Sequence, residues 1–226
     1  MKQSKIQNIL IRYGVSTLGL VLVAVGVALS IKSNLGTAPI SCPPYVINLF
    51  NGSLTVGEWT MLMHLVFIVS QIVMLRKSFK LRYLMQIPAA IVFGLLTDAA
   101  IWAFSWVDAS GYVMRLVLCI VSVAITALGV SLEVCGNSWM LAGEQTVAAI
   151  AEITKKPFGN MKIAFDISLM AFSMIFGFFA FGNVLGNGEL MVVREGTLIQ
   201  ALLTGFLMKY TDPVCGRVFG KAVKGE

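Results

Sequence analysis

Chemistry in this chain must come from a few polar groups set in apolar surroundings. Glu144 stands in the run Gly143-Glu144-Gln145-Thr146, and His64, the only histidine, lies in a charge-free run from 59 to 75. Asp166 follows Lys162 by four residues, and Asp98 interrupts an apolar run from 83 to 107. An ionisable side chain in hydrocarbon costs at least about 2.5 kcal/mol, so such groups face a cavity or a partner and point to proton or cation handling. Each also has an ordinary role open to it. Glu144 suits a helix start, where the positive dipole end stabilises a carboxylate; His64 suits hydrogen-bonded packing, although it could titrate near neutral pH; Asp166 can pair with Lys162; Asp98 suits the outer interface. Glu133 and Glu152 read as edge charges on the cytoplasmic side. A second, uncharged set comprises Asn34, Thr37, Ser41, Asn137, Ser138, Gln145 and Thr146, with Tyr45 and Trp139 as aromatic neighbours. These fit either solute contact or local capping and helix-to-helix hydrogen bonds, the latter averaging only about 0.6 kcal/mol in a bilayer.

Other chemistries have no support. Cys42, Cys119, Cys135 and Cys215 show no metal-ligand spacing and have no accompanying histidine. No phosphate-binding glycine loop, serine elbow or zinc helix motif occurs. The chain is therefore expected to be no enzyme, to use no cofactor and to hydrolyse no ATP.

Membrane helices must position these groups. The 226 residues are 58% hydrophobic and 12% charged, with a mean hydropathy of +0.85, against about 25% charged in a soluble domain. A span takes roughly 20 residues. Six apolar runs qualify as spans: 13–31, 59–75, 83–107, 116–132, 167–188 and the shorter 196–208. The first covers 19 residues, longer than a leader core of about 7 to 15, which predicts an uncleaved span. Fourteen of the seventeen basic residues fall before span one, between spans two and three, before span five and after span six. Basic loops stay in the cytoplasm, so six spans with both termini cytoplasmic explain the pattern. Lys32, Arg115 and Arg194 are the exceptions. The same placement accounts for the net charge of +6 without a nucleic acid partner.

Two segments, 33–57 and 134–157, are too polar and too rich in Pro and Gly for continuous spans. Pro39, Pro43 and Pro44 remove backbone donors there, and Gly36 permits positive φ. Each must enter and leave on one side, as a re-entrant half-helix or an interfacial loop; irregular backbone at membrane depth is tolerated only inside protein or along a cavity. The two halves also align at an offset of 103, with Arg12 on Arg115, Gly26 on Gly129 and Asn34 on Asn137. After a one-residue deletion, His64 falls on Asp166. Three spans per half reverse the second copy. The expected fold is an all-α polytopic membrane protein, a 3+3 inverted repeat of residues 1–110 and 111–226 with two broken segments. Inversion would place His64 and Asp166 in opposite leaflets.

The sequence resembles the YczE/YyaS-like bacterial integral membrane proteins and, more distantly, YitT-type proteins. The likeness rests on Leu35-Gly36-Thr37-Ala38-Pro39, Gly57, Gly94-Leu95-Leu96-Thr97-Asp98 and the run from Gly196 to Gly205. It implies a multi-pass protein of the bacterial inner membrane and no particular substrate. Similar proteins often carry an acid shortly after the loop proline, where this chain has Ser41; its repeat mate Glu144 would then hold that role.

Inverted repeats with broken helices are an architecture of secondary transporters. The expected function is a small transporter or facilitator of a polar or amphipathic solute, with Glu144 as proton or cation carrier and the Asn34 to Ser41 loop touching solute. The alternatives are a binding subunit driven by a separate ATPase, or a membrane scaffold or sensor. Expected partners are the lipid bilayer and a small solute, with a second copy of the chain as a further candidate.

Overall fold

The structure of the chain, a computed structural model, describes residues 2–224 except 77, 78, 80, 137 and 139. Among these the regular elements are helical: α1 (Lys2–Ser33), α2 (Cys42–Phe50), α3 (Val56–Leu75), α4 (Gln86–Ala103), α5 (Tyr112–Gly136), α6 (Ala142–Thr154), α7 (Phe158–Phe181) and α8 (Glu195–Lys224). Short 3-10 turns, Pro39–Ser41 and Leu81–Met85, precede α2 and α4.

Five stretches of the described chain are long and apolar enough to cross a membrane: Leu10–Ser33, Val56–Leu75, Tyr83–Ala103, Tyr112–Gly136 and Asn160–Phe181. The sixth apolar run, 196–208, lies in α8, a 30-residue helix that beyond this run carries Lys209, Asp212, Arg217 and Lys221. That run alone spans about 20 Å at 1.5 Å per residue, short of a hydrocarbon core of about 30 Å. The fifth span also sits earlier than the charge-free run 167–188 suggests. α7 starts just after Pro157 and stops at Gly182, whose φ of +68° ends the helix as its N–H bonds Phe178 O.

α1 and α5 form the centre of the bundle, and close backbone approach dictates glycine where they cross. A Cβ on Gly19 would lie 2.6 Å from Gly129 O, and one on Gly129 would lie 2.8 Å from Gly19 O. A Cβ on Gly26 would come 3.1 Å from Ser122 O. Around this pair, α4 packs on α1 and α3, α8 on α5, α2 on α3 and α7, and α6 on α3 and α7.

Tethers at the helix ends fix which termini share a bundle end. Lys32 Nζ donates to Ser105 O at 3.3 Å, and Asn34 bridges to Glu189 O at 3.1 Å and to Met191 N at 2.8 Å. Thr55 Oγ1 donates to Asp98 Oδ2 at 2.6 Å, and Gly57 N donates to Asp98 Oδ1 at 2.8 Å. The end of α1 and the start of α3 thus lie together with the end of α4, so the segment between them returns to the side it left. Its reversal requires Gly36, at φ +98°, where a side chain would also strike Arg194 N at 2.7 Å. At the opposite end, Arg12 Nε donates to Gly136 O at 3.2 Å.

Candidate functional site

The two short helices bring the site together. The 3-10 turn Pro39–Ser41 is followed by α2, whose Pro43 and Pro44 occupy first-turn positions where an amide would be unpaired in any case. α6 opens with Ala142 and Gly143. Gly143 is seated against the Ile40 side chain, so the amino-terminal ends of the two half-helices face each other inside the bundle. Beside this contact lies a cavity of about 680 Å³, well within the size range of small-molecule sites, about 300 to 1,000 Å³.

Most of its wall is apolar, including Val27, Phe93, Val130 and Leu141; the polar groups are contributed by six elements. Ser41 comes from the turn before α2, Thr60 and His64 from α3, Thr126 from α5, Glu144 from α6, Lys162 and Asp166 from α7, and Gln200 from α8. Lys162 Nζ donates to Asp166 Oδ1 at 2.8 Å, the i,i+4 pair expected from the sequence. His64 is 2% exposed and stands edge-on to Phe67 and Phe93, with ring centroids 6.0 and 5.7 Å apart. Glu144, 6% exposed, stands in the first turn of α6, and its Oε2 has no partner. His64 Nδ1, Thr126 Oγ1 and Gln200 Nε2 are likewise buried without a partner, and all three residues line the same cavity. Orphaned buried polar atoms are rare and each costs about 1 to 3 kcal/mol; four residues of one cavity wall each carry one, which leaves unused hydrogen-bonding capacity beside the space.

Of the residues singled out from sequence, Glu144, His64, Asp166 and Ser41 line this cavity. His64 and Asp166 both line it, where the expected inversion would have put them in opposite leaflets. Asn34 and Thr37 do not: Asn34 clamps the 187–193 loop, and Thr37 pairs with Ser30 Oγ at 3.0 Å. Gln145 is half-buried on α6, away from the wall. Asp98 caps α3 through Thr55 and Gly57. Asn137 lies outside the described residues.

The structure corrects the reading of Glu133 as an edge charge. It is 1% exposed, its Oε2 accepts from Leu141 N at 3.3 Å, and its Oε1 has no partner. α1 covers the last turns of α5, with Gly19 seated against the Glu133 side chain, and Leu141, just before α6, reaches its carboxylate through N–H. Thr126 and Gln200 are also new to the site. Among the described residues no cluster of His, Cys, Asp or Glu could hold a metal ion.

Residues 10–213 match the model of a family of unknown function, DUF6198. The chain belongs to this family. No curated protein and no solved structure matches it.

Proposed function

We propose that the chain is a small secondary transporter or facilitator of the YczE/YyaS-like kind, with six spans in a 3+3 inverted repeat, moving a polar or amphipathic solute across the bacterial inner membrane. One observation carries this reading: four residues that line one cavity beside the two half-helices, His64, Thr126, Glu144 and Gln200, each hold a buried polar atom without a protein partner. A scaffold has no use for such a space, and filling it with aliphatic side chains would relieve the desolvation cost.

The inverted repeat has support in contacts between positions related by the offset of 103. The Gly26 to Ser122 contact has its mate in Gly129 to Gly19, and Gly26 to Thr126 has its mate in Gly129 to Val23. Ile40 and Gly143 are themselves mates, and they touch; contact between equivalent residues is what a pseudo-two-fold axis requires. In the second half α8 is the counterpart of α4 and acts as the sixth span, its short apolar run completed by snorkelling lysines. Both termini are then cytoplasmic.

Glu144 is the carrier of a proton or cation in this mechanism. It lies where the halves meet, so rocking one half against the other would expose it first to one face and then to the other. Proteoliposomes incubated with a mixture of small metabolites and analysed by mass spectrometry should retain a solute that empty liposomes do not. Glu144→Gln should reduce retention at least tenfold with an unchanged unfolding midpoint. Equal retention by wild type and empty liposomes would refute transport; equal retention by Glu144→Gln and wild type would remove Glu144 from the mechanism.

A further inference from the structure

Resting on the transport reading of this cavity, we infer that its solute is an amphipathic organic cation: one ammonium group, bound at Glu144, on an apolar body that enters between α7 and α8. Charge is the first ground. Lys162 touches the Asp166 carboxylate at 2.8 Å and is also within electrostatic reach of Glu144, so one cation serves two acids. Lys209 and Asp212 offset each other on the exposed part of α8. Behind Leu141, Glu133 adds a further buried carboxylate with an unpartnered oxygen. Among the described residues the inner cavity and its backing therefore hold three carboxyl groups, Glu133, Glu144 and Asp166, to one ammonium, Lys162, so an incoming cation finds a carboxyl group left to pair with inside apolar walls.

Opposed helix amino termini ordinarily favour an anion, but here neither is available to one. Pro39, Pro43 and Pro44 have no N–H, and the amides of Ser41 and Cys42 both donate to Ala38 O. The first turn of α6 already carries the Glu144 carboxyl group. The dipole that would attract a free anion stabilises a fixed one instead.

Entry is the second ground. α3 and α4 are packed tightly, a Cβ on Gly94 meeting Gly57 O at 2.7 Å, whereas their counterparts α7 and α8 touch only sparsely. Ile163 of α7 and Leu202 and Phe206 of α8 line the cavity and are themselves 45%, 63% and 49% exposed. Leu202 is seven residues into α8, roughly 10 Å from its start at 1.5 Å per residue, a depth occupied by acyl chains. The cavity thus opens sideways into lipid, where an amphipathic cation partitions and a small hydrophilic ion does not.

Calorimetric titration of the purified full chain in nanodiscs, with three probes of matched body, tests this. 2-Phenylethylammonium should bind at least tenfold tighter than 2-phenylethanol and 3-phenylpropionate, and at least tenfold tighter than methylammonium, which lacks the body. Glu144→Gln should abolish the ammonium preference, and Glu144→Asp should restore part of it. Equal or tighter binding of the carboxylate, or methylammonium matching 2-phenylethylammonium, would overturn the inference; both comparisons are made on wild type and need no variant to fold. Ammonium binding without uptake by proteoliposomes supports the cation site and refutes transport. Uptake of a solute by a protein that shows no ammonium preference does the reverse.

Discussion

Adding one methyl group at Gly19 should cost more than any other single methyl on α1, because two backbones already touch there. A Cβ at this position would sit 2.6 Å from Gly129 O and 2.9 Å from Glu133 N, roughly 0.8 Å inside an ordinary contact of about 3.4 Å. Neither atom can rotate away, so α1 and α5 must separate, loosening the crossing on which α4 and α8 are also packed. Overpacking of this kind costs about 1 to 3 kcal/mol. Gly14, on the same helix, has nothing within 4 Å of its would-be Cβ; alanine there should stabilise by about 0.5 to 1 kcal/mol through helix propensity alone. The two variants therefore separate by about 1.5 to 4 kcal/mol, read as thermal midpoints in detergent at about 2 to 4 °C per kcal/mol. If Gly19→Ala unfolds within a degree of Gly14→Ala, α1 and α5 do not cross where the structure places them.

Other substitutions separate structural from functional polar groups. Gln71→Leu removes a fully buried side chain that bonds Gln86 Oε1, Ala142 O and Thr146 Oγ1 at 2.9 to 3.0 Å; it should lower stability by about 1 to 3 kcal/mol in the same thermal assay. Asp98→Ala should cost about 1 to 2 kcal/mol through the lost cap while leaving uptake per folded molecule unchanged, since Asp98 is not in the cavity wall. Lys162→Met strands Asp166, 3% exposed, and should destabilise by about 3 kcal/mol; adding Asp166→Asn should recover most of that in a double-mutant cycle.

Polar residues in apolar runs were legible as candidates, and His64, Asp166 and Glu144 do line one cavity. Their signal is local: a costly side chain where lipid is the expected solvent. The charge-free runs overlap the five stretches long enough to cross a membrane, but the fifth begins at Asn160 and ends at Phe181 rather than covering 167–188, because Lys162 and Asp166 pair inside α7 and Gly182 ends the helix. Glu133 was not legible, because its burial depends on how α1 covers the last turns of α5 and on where Leu141 falls. Thr126 and Gln200 are ordinary polar residues in long helices, and only helix rotation brings them to the cavity wall. Asn34, Thr37 and Asp98 are conspicuous in sequence for a different reason: they tie helix ends and loops, a demand as strict as solute binding and equally local.

A solute can reach Glu144 only if the space between the broken segments admits it, and thiol chemistry at Gln200 measures that. In a chain retaining no native cysteine, Gln200→Cys should react with N-ethylmaleimide, which enters lipid as well as water, at least tenfold faster than a chain whose single cysteine is Cys119, which is fully buried and outside the cavity wall. Excess 2-phenylethylammonium should slow the reaction. Reaction at Gln200→Cys as slow as at Cys119 would mean that the cavity is closed to water-borne and solute molecules alike, and would contradict the proposed function.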